Sequence, residues 1–258
     1  MPIREVNGIT LWQSELLLRA GVIHGFTGRK GGVSEGAYAS LSMSPRRGDD
    51  PSRVRKNEEI LCRAAGLTFD NLTSTMQEHT DNVELIGADT VGMGISRPWL
   101  RGVDAIVTQL KNTPLLAYAA DCVPLLMYAA DIEAAAAVHS GWRGTEMKIA
   151  RKAAEKLIEL GAKPENILVA IGPSIGGCCY EVSADVGLRF PAQCRAEKEG
   201  GKYMLDLRAV NRLMLNEIGV DKVDADPPCT MCNNELFFSH RGQGGKSGTL
   251  GAYIELRK

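Results

Sequence analysis

Between Thr113 and His139 the chain carries three apolar runs of strand length, Leu115–Ala119, Val123–Ala129 and Ala135–Val138, parted by only a few residues. Parallel neighbours need a crossover of about a dozen residues or more, usually a helix, and there is no room for one here. The three runs are therefore expected to form an antiparallel meander. That argues against a doubly wound parallel sheet. Two further runs, Ile167–Ile171 and Gly251–Leu256, also read as buried or half-buried strands.

Helical patterns fall between them. Asp50-Pro51 supplies an N-cap and a proline at the first helical position, Val54, Leu61 and Ala65 share a face, and Gly66 ends the helix. The spacing predicts a second helix over 145–160, with Met147, Ala150, Ala154 and Leu157 on one stripe and Gly161 and Pro164 as its stop. A third runs from about Asp206 to Ile218, with Leu207, Val210, Met214 and Ile218 inward and Gly219 beyond it. Together these give an α/β chain with a mixed sheet flanked by helices, read as one domain over 1–258. The Gly-rich turn over 172–177 fits neither a Walker A loop nor the dinucleotide fingerprint.

Thirty Lys plus Arg against 31 Asp plus Glu leave a formal charge of −1, so no basic excess gathers nucleic-acid phosphates or an anionic membrane. The N-terminal residues lack a basic region followed by an apolar stretch, and no apolar run approaches membrane-spanning length. Seven cysteines, an odd number without an export signal, read as reduced thiols of a cytoplasmic protein.

Chemistry concentrates at the ends of the apolar runs. Cys122 and His139 each sit where a strand-like segment turns, and His79 stands in Gln77-Glu78-His79-Thr80. One thiolate and two imidazoles suit zinc and tolerate copper, and a zinc held by three protein ligands keeps a fourth position for water, whose pKa falls to roughly 7. Cys122 and His139 alone also make a nucleophile–base pair. The residues by themselves leave a third option open, two ordinary histidines and a buried thiol.

Several segments then resemble one family in order along nearly the whole chain: Arg29-Lys30-Gly31-Gly32, Asp104-Ala105-Ile106-Val107-Thr108, Ala120-Asp121-Cys122-Val123-Pro124, Val138-His139-Ser140-Gly141-Trp142-Arg143-Gly144, Cys178-Cys179-Tyr180-Glu181-Val182 and Cys229-Thr230-Met231-Cys232 running into Phe238-Ser239-His240-Arg241. It is the polyphenol-oxidase or laccase-domain family, also described as multifunctional purine nucleoside phosphorylases and as peptidoglycan editing factors. The resemblance implies a single-domain α/β fold similar to the cytotoxic-necrotizing-factor-like cysteine hydrolases. It implies zinc on His79, Cys122 and His139, phosphorolysis of adenosine, inosine, guanosine and methylthioadenosine, and deamination of adenosine. It also implies an editing role, removing a serine wrongly built into a UDP-muramyl precursor.

Where the family usually has Gln-Val-His-Gly, Leu-Asn-Leu and Gly-Arg, this chain has Gln77-Glu78-His79-Thr80, Leu41-Ser42-Met43 and Gly248-Thr249. Thr80 denies the backbone beside His79 the freedom of glycine. For deamination the acid/base candidates are Asp121 and Glu181, with a backbone-capping turn as the other role for Asp121. For phosphate the candidates are Arg143, before an expected helix N-terminus, and Arg29, each otherwise a structural arginine. Trp142 and Tyr180 can stack on a purine or pack under the strands. Cys178-Cys179 reads as packing or site lining, and Cys229-x-x-Cys232, with no second pair of that spacing, as reduced structural thiols. His24 and His240 read as structural, with His240-Arg241 near the pocket. Purine nucleoside and phosphate are the expected partners. A Cys122–His139 hydrolase is the alternative, and a copper phenol oxidase fares worst because four histidines cannot build a multicopper centre.

Overall fold

In the computed structural model, which describes residues 3–224 and 226–257, Val123–Ala129 and Ala134–Ser140 pair as an antiparallel hairpin with Pro124 opposite His139. Leu115–Ala119 does not join them. It lies in a different sheet, between Leu250–Glu255 and Thr73–Ser74. The chain passes from one sheet to the other at Ala120–Cys122, with Asp121 in the left-handed region at φ +79°. The expected three-stranded meander is thus corrected to a hairpin and a strand of the facing sheet. Both sheets are covered on both faces, so all three runs are uniformly apolar and their pattern does not reveal which sheet each joins.

The described residues form two six-stranded mixed sheets and a small third one. The first has the order Ile3–Val6, Ile9–Trp12, Ile23–Thr27, Leu250–Glu255, Leu115–Ala119, Thr73–Ser74, antiparallel except for its last pair. The second has Lys222–Asp224, Ile167–Ile171, Val123–Ala129, Ala134–Ser140, Ala105–Thr108, Val83–Leu85, antiparallel at its centre and parallel at both edges. Glu181–Ser183, Lys202–Leu205 and Arg195–Lys198 form the third, fully antiparallel sheet.

The side-chain alternation of the central hairpin sets the layers. Leu126, Ala135 and Ala137 point toward Phe26, Leu115, Ala117, Ala252 and Ile254 of the first sheet. Leu125, Met127, Ala136 and Val138 point the other way, onto Ile149, Ala153, Leu157 and Val210 of two helices. The outer face of the first sheet, with Leu11, Leu116 and Tyr253, is covered by Leu61 and Cys62 of the helix Pro51–Ala65. A helix–sheet–sheet–helix sandwich results. Each fully buried Leu, Ile or Phe in it contributes about 1.5–3 kcal/mol.

Pro51–Ala65 is bounded as its caps predict: Asp50 accepts from the N–H of Ser52, and Gly66 adopts φ +69°. Leu207–Asn216 likewise starts from Asp206, whose carboxylate accepts from the N–H groups of Arg208 and Ala209. The helix expected over 145–160 is two helices, Trp142–Glu146 and Ile149–Glu159, broken at Lys148 with φ +66°. Met147 leaves the buried stripe and is exposed. The first turn is fixed apart from the helix that follows: the Thr145 hydroxyl bonds Ser140 Oγ and the carbonyl of Gly141, and Asn211 of a distant helix bonds both Ser140 Oγ and Thr145 Oγ1. Among the described residues no helix is long and apolar enough to cross a membrane.

Candidate metal centre between two clefts

Three separate segments deliver His79, Cys122 and His139 to one place. His79 lies in the loop after Thr73–Ser74, Cys122 at the crossing between the sheets, and His139 near the end of its strand. Their donor atoms all lie within 4.8 Å of one another. Cys122 Sγ is 3.8 Å from His79 Nε2, and the imidazoles meet edge-on with centroids 4.9 Å apart.

Asp104, at the start of the strand Ala105–Thr108, organises two of these three. Its Oδ1 accepts from His139 Nδ1 at 2.8 Å and from the N–H of His79 at 3.0 Å, and its Oδ2 accepts from the N–H of Glu78 and Thr80. Burial alone would raise this carboxyl, but the imidazole and those donors hold it down to about 2. The left-handed residue of the loop is His79 itself, at φ +61°. Thr80 is not strained. Its hydroxyl donates to Gly102 O and Asp104 Oδ2, so the missing glycine freedom is not needed at that position.

Burial likewise opposes charge on Cys122 and His139, yet each stabilises the other. The thiol is brought down to about 6 beside His139, and the imidazole is held up at about 9 between Cys122 and Asp104. With Nδ1 committed to Asp104, His139 presents Nε2 to the cluster. A carboxylate behind a ligating histidine fixes tautomer and ring orientation at zinc sites. One thiolate, two imidazoles and a preset tautomer fit zinc with three protein ligands.

Two clefts meet at this cluster. One, of about 470 Å³, is polar and lined by Ser44, Arg46, Arg47, Gln77, Glu78, His79, Tyr118, His139 and Thr249. Thr249 is buried beside it, with a hydroxyl that lacks a protein partner. The other, of about 260 Å³, is more apolar and lined by Arg47, His79, Asp121, Cys122, Trp142, Ile175, Tyr180, Leu207, His240 and Arg241. Arg47 and His79 belong to both. Arg47 Nη1 lies 3.1 Å from His240 Nδ1, and Arg46 donates to the carbonyl of Gln77.

The structure therefore brings His79, Cys122, His139, Asp121, Trp142 and Tyr180 together, with His240 and Arg241 beside them, and leaves Glu181, Arg143 and Arg29 apart. Both carboxylate oxygens of Asp121 are engaged, Oδ1 by Thr230 Oγ1 and Oδ2 by the N–H of Arg241, each at 2.6 Å. Glu181 lines neither cleft, and Lys198 and Lys202, at 2.5 and 2.6 Å, hold its carboxyl down to about 2. Arg143 is exposed, with its guanidinium 4.9 Å from the Trp142 ring centroid. Arg29 ties loops together through Ala39 O and Asn234 O and stacks over Phe238. His24 is structural, accepting from Ser14 N–H through Nε2.

Sequence reasoning missed Asp104 as a partner of His139, and Arg46 and Arg47 as the cations of the cleft. The signal for the arginines was local: two adjacent basic residues in the tight turn Pro45–Arg47, closed by Gly48 at φ +91°.

A family model described as multi-copper polyphenol oxidoreductase laccase matches residues 23–257. A protein of Deinococcus radiodurans named purine nucleoside phosphorylase is 37% identical over 246 residues, covering 93% of this chain and 92% of its own length. One of the same name from Bacteroides thetaiotaomicron is 34% identical over 249 residues, 92% of each chain. The crystal structure of YlmD from Geobacillus stearothermophilus superposes with a TM-score of 0.91 at 32% identity, covering 99% of this chain and 98% of that one.

Proposed function

Because this chain belongs to the family described as multi-copper polyphenol oxidoreductase laccase, with relatives named purine nucleoside phosphorylase, we propose that it is a zinc-dependent purine nucleoside phosphorylase that also deaminates adenosine. The observation that carries this reading is the junction of an arginine-bearing polar cleft and an aromatic one at His79, Cys122 and His139.

The purine stacks in the aromatic cleft between Trp142 and Tyr180. Burial and the neighbouring Cys122 hold the Tyr180 hydroxyl up at about 12, so it stays protonated and can donate to a ring nitrogen. Phosphate takes the polar cleft beside Arg46 and Arg47. In phosphorolysis a phosphate oxygen bonds to the sugar carbon as its bond to the purine nitrogen breaks. The base leaves with the electron pair and takes up a proton. Arg47, shared by both clefts, holds the anion toward that carbon. Zinc on His79, Cys122 and His139 supplies Lewis acidity at the junction, and copper in the same place accounts for the oxidase description. A multicopper centre has no ligands here, since the chain has four histidines and His24 is committed elsewhere. For deamination, Glu78 offers a carboxylate in the polar cleft: its Oε1 pairs with the exposed Arg101 at 3.1 Å, whereas both oxygens of Asp121 and of Glu181 are engaged.

The test is incubation of the purified protein with adenosine and phosphate, followed by chromatography. Adenine or inosine should appear and be lost in His79→Ala. Absence of both products at stoichiometric zinc overturns the reading.

A second reading rests on the arrangement Cys122–His139–Asp104, a low-lying thiol beside an imidazole oriented by a carboxylate. It is that of a cysteine hydrolase acting on an amide of a cell-wall precursor such as a UDP-muramyl-serine. Cys122→Asp separates the two, since aspartate can ligate zinc but cannot form a thioester. The cytoplasm, with its reduced thiols, suits either reading.

A further inference from the structure

Away from the clefts, the two cysteine pairs that looked unrelated in sequence converge. Cys178 and Cys179 lie in the turn after the strand Ile167–Ile171, and Cys229 and Cys232 in the coil leading to His240. Their four sulfurs lie within 4.8 Å of one another, with Cys179 Sγ 3.3 Å and Cys178 Sγ 3.8 Å from Cys232 Sγ. None of the four lines either cleft, so the expectation that Cys178-Cys179 lines the site is corrected, and Cys229-x-x-Cys232 is not a lone pair.

We propose that Cys178, Cys179, Cys229 and Cys232 form a second metal site, a tetrathiolate centre for zinc, distinct from the His79–Cys122–His139 cluster. Four thiolates at a Zn–S distance of about 2.3 Å stand at the corners of a tetrahedron with edges of ~3.8 Å, the scale of the separations seen. A disulfide uses two sulfurs at about 2.05 Å and leaves the convergence of the other two unexplained. A tetrahedral ion uses all four.

The surroundings suit the charge such a site carries. Cys229 Sγ accepts from the N–H of Gly176 at 3.3 Å, a bond that favours the thiolate. The half-buried Arg208 reaches across the same place, donating to Ser174 Oγ at 2.9 Å, Pro227 O at 2.7 Å and Pro228 O at 2.9 Å. Its charge lies beside the sulfurs of Cys229 and Cys178 as well as the carboxylates of Asp206 and Asp226. On binding, each ligating thiol gives its proton to solvent, and Zn2+ with four thiolates leaves two negative charges beside the Arg208 guanidinium. Cys178 and Cys232 are exposed, which gives the ion an entry path.

Four protein ligands leave no position for substrate, so this centre is structural. It joins two stretches already linked by the N–H of Thr230 to Ser174 O at 3.0 Å. One stretch carries Ile175 and Tyr180 and the other His240 and Arg241, walls of the aromatic cleft. The ion fastens those walls to each other.

The experiment loads reduced full-length Cys122→Ala protein with cobalt(II). That substitution removes the thiolate of the other cluster, and Cys62 and Cys194 are buried outside the four-sulfur group, so intense sulfur-to-cobalt charge-transfer bands report the four cysteines. Those bands should appear at about one cobalt per chain, and zinc should displace them. They should vanish in Cys122→Ala/Cys229→Ser/Cys232→Ser. Should that variant fail to fold, native mass spectrometry of the reduced wild-type chain decides, with about two zinc ions expected per chain and about one in Cys122→Ala. Bands that are absent, or that survive loss of Cys229 and Cys232, overturn the proposal. So does a Cys122→Ala chain that carries no zinc, or a cobalt-free protein whose mass shows Cys179 and Cys232 joined as a disulfide.

Discussion

A β-carbon placed on Gly141 would lie 2.6 Å from Cδ2 of His79 and 3.1 Å from Sγ of Cys122. Glycine at the start of the helix Trp142–Glu146 is thus what leaves room for the cluster. Gly141→Ala is expected to displace both ligands and to lower zinc affinity by about 10-fold or more, on the scale of a lost supporting contact, while the fold persists. Competition against a chromophoric chelator measures it. Wild-type affinity in this variant would show that the ligands do not need that space.

Asp104→Asn keeps the shape but replaces a carboxylate by an amide whose N–H2 must face either His139 or the backbone donors of Glu78 and Thr80. We expect zinc affinity to fall by about 10- to 100-fold. The same competition assay, with melting recorded in parallel, reads it. Unchanged affinity would mean that the 2.8 Å bond to His139 does not set the ligand's tautomer.

For phosphate, Arg47→Ala should raise KM by about 10-fold or more, since a charge-assisted hydrogen bond contributes about 1.5–3 kcal/mol. Arg143→Ala should leave it near the wild-type value, because that side chain lies over Trp142 and lines neither cleft. The opposite pattern of KM values would return the anion to Arg143.

Glu58, on the buried face of Pro51–Ala65, has its carboxyl raised to about 7 by burial, against the partial help of Arg55. The folded chain therefore binds its proton more tightly than the unfolded one. The stability linked to that proton is fully present below about pH 4.5 and is lost as pH rises through 7, amounting to about 3 kcal/mol at most. Glu58→Gln should melt with wild type near pH 4 and above it near pH 8. Parallel melting curves at both values would dismiss Glu58 as the cause.

Local signals carried much of the fold. Leu115–Ala119, Val123–Ala129 and Ile167–Ile171 are strands over the very residues that their apolar runs mark, and Asp50, Pro51 and Gly66 delimit their helix. What stayed illegible depends on distant partners. No neighbour of Leu115 says that its strand pairs with Leu250–Glu255, and Lys148 is not a residue whose type announces a positive φ. At the site, Cys122 and His139 were legible as residue types where apolar runs turn, and His79 as one of only four histidines. Asp104 and Arg47 were not, because each matters through a residue far along the chain: Arg47 meets His240 across 193 positions. The four cysteines were hidden likewise, Cys178 and Cys232 being 54 residues apart.

The crossing at Ala120–Cys122 has a thermal consequence. Cys122 sits on the link between two stacked sheets, while His79 follows a strand of the first and His139 ends a strand of the second. The ligand set therefore spans the seam of the sandwich. Any sliding of one sheet over the other separates the donor atoms before a single strand is lost. Heat should silence such a protein by opening this seam, so that its working temperature ceiling lies below the point at which its secondary structure melts.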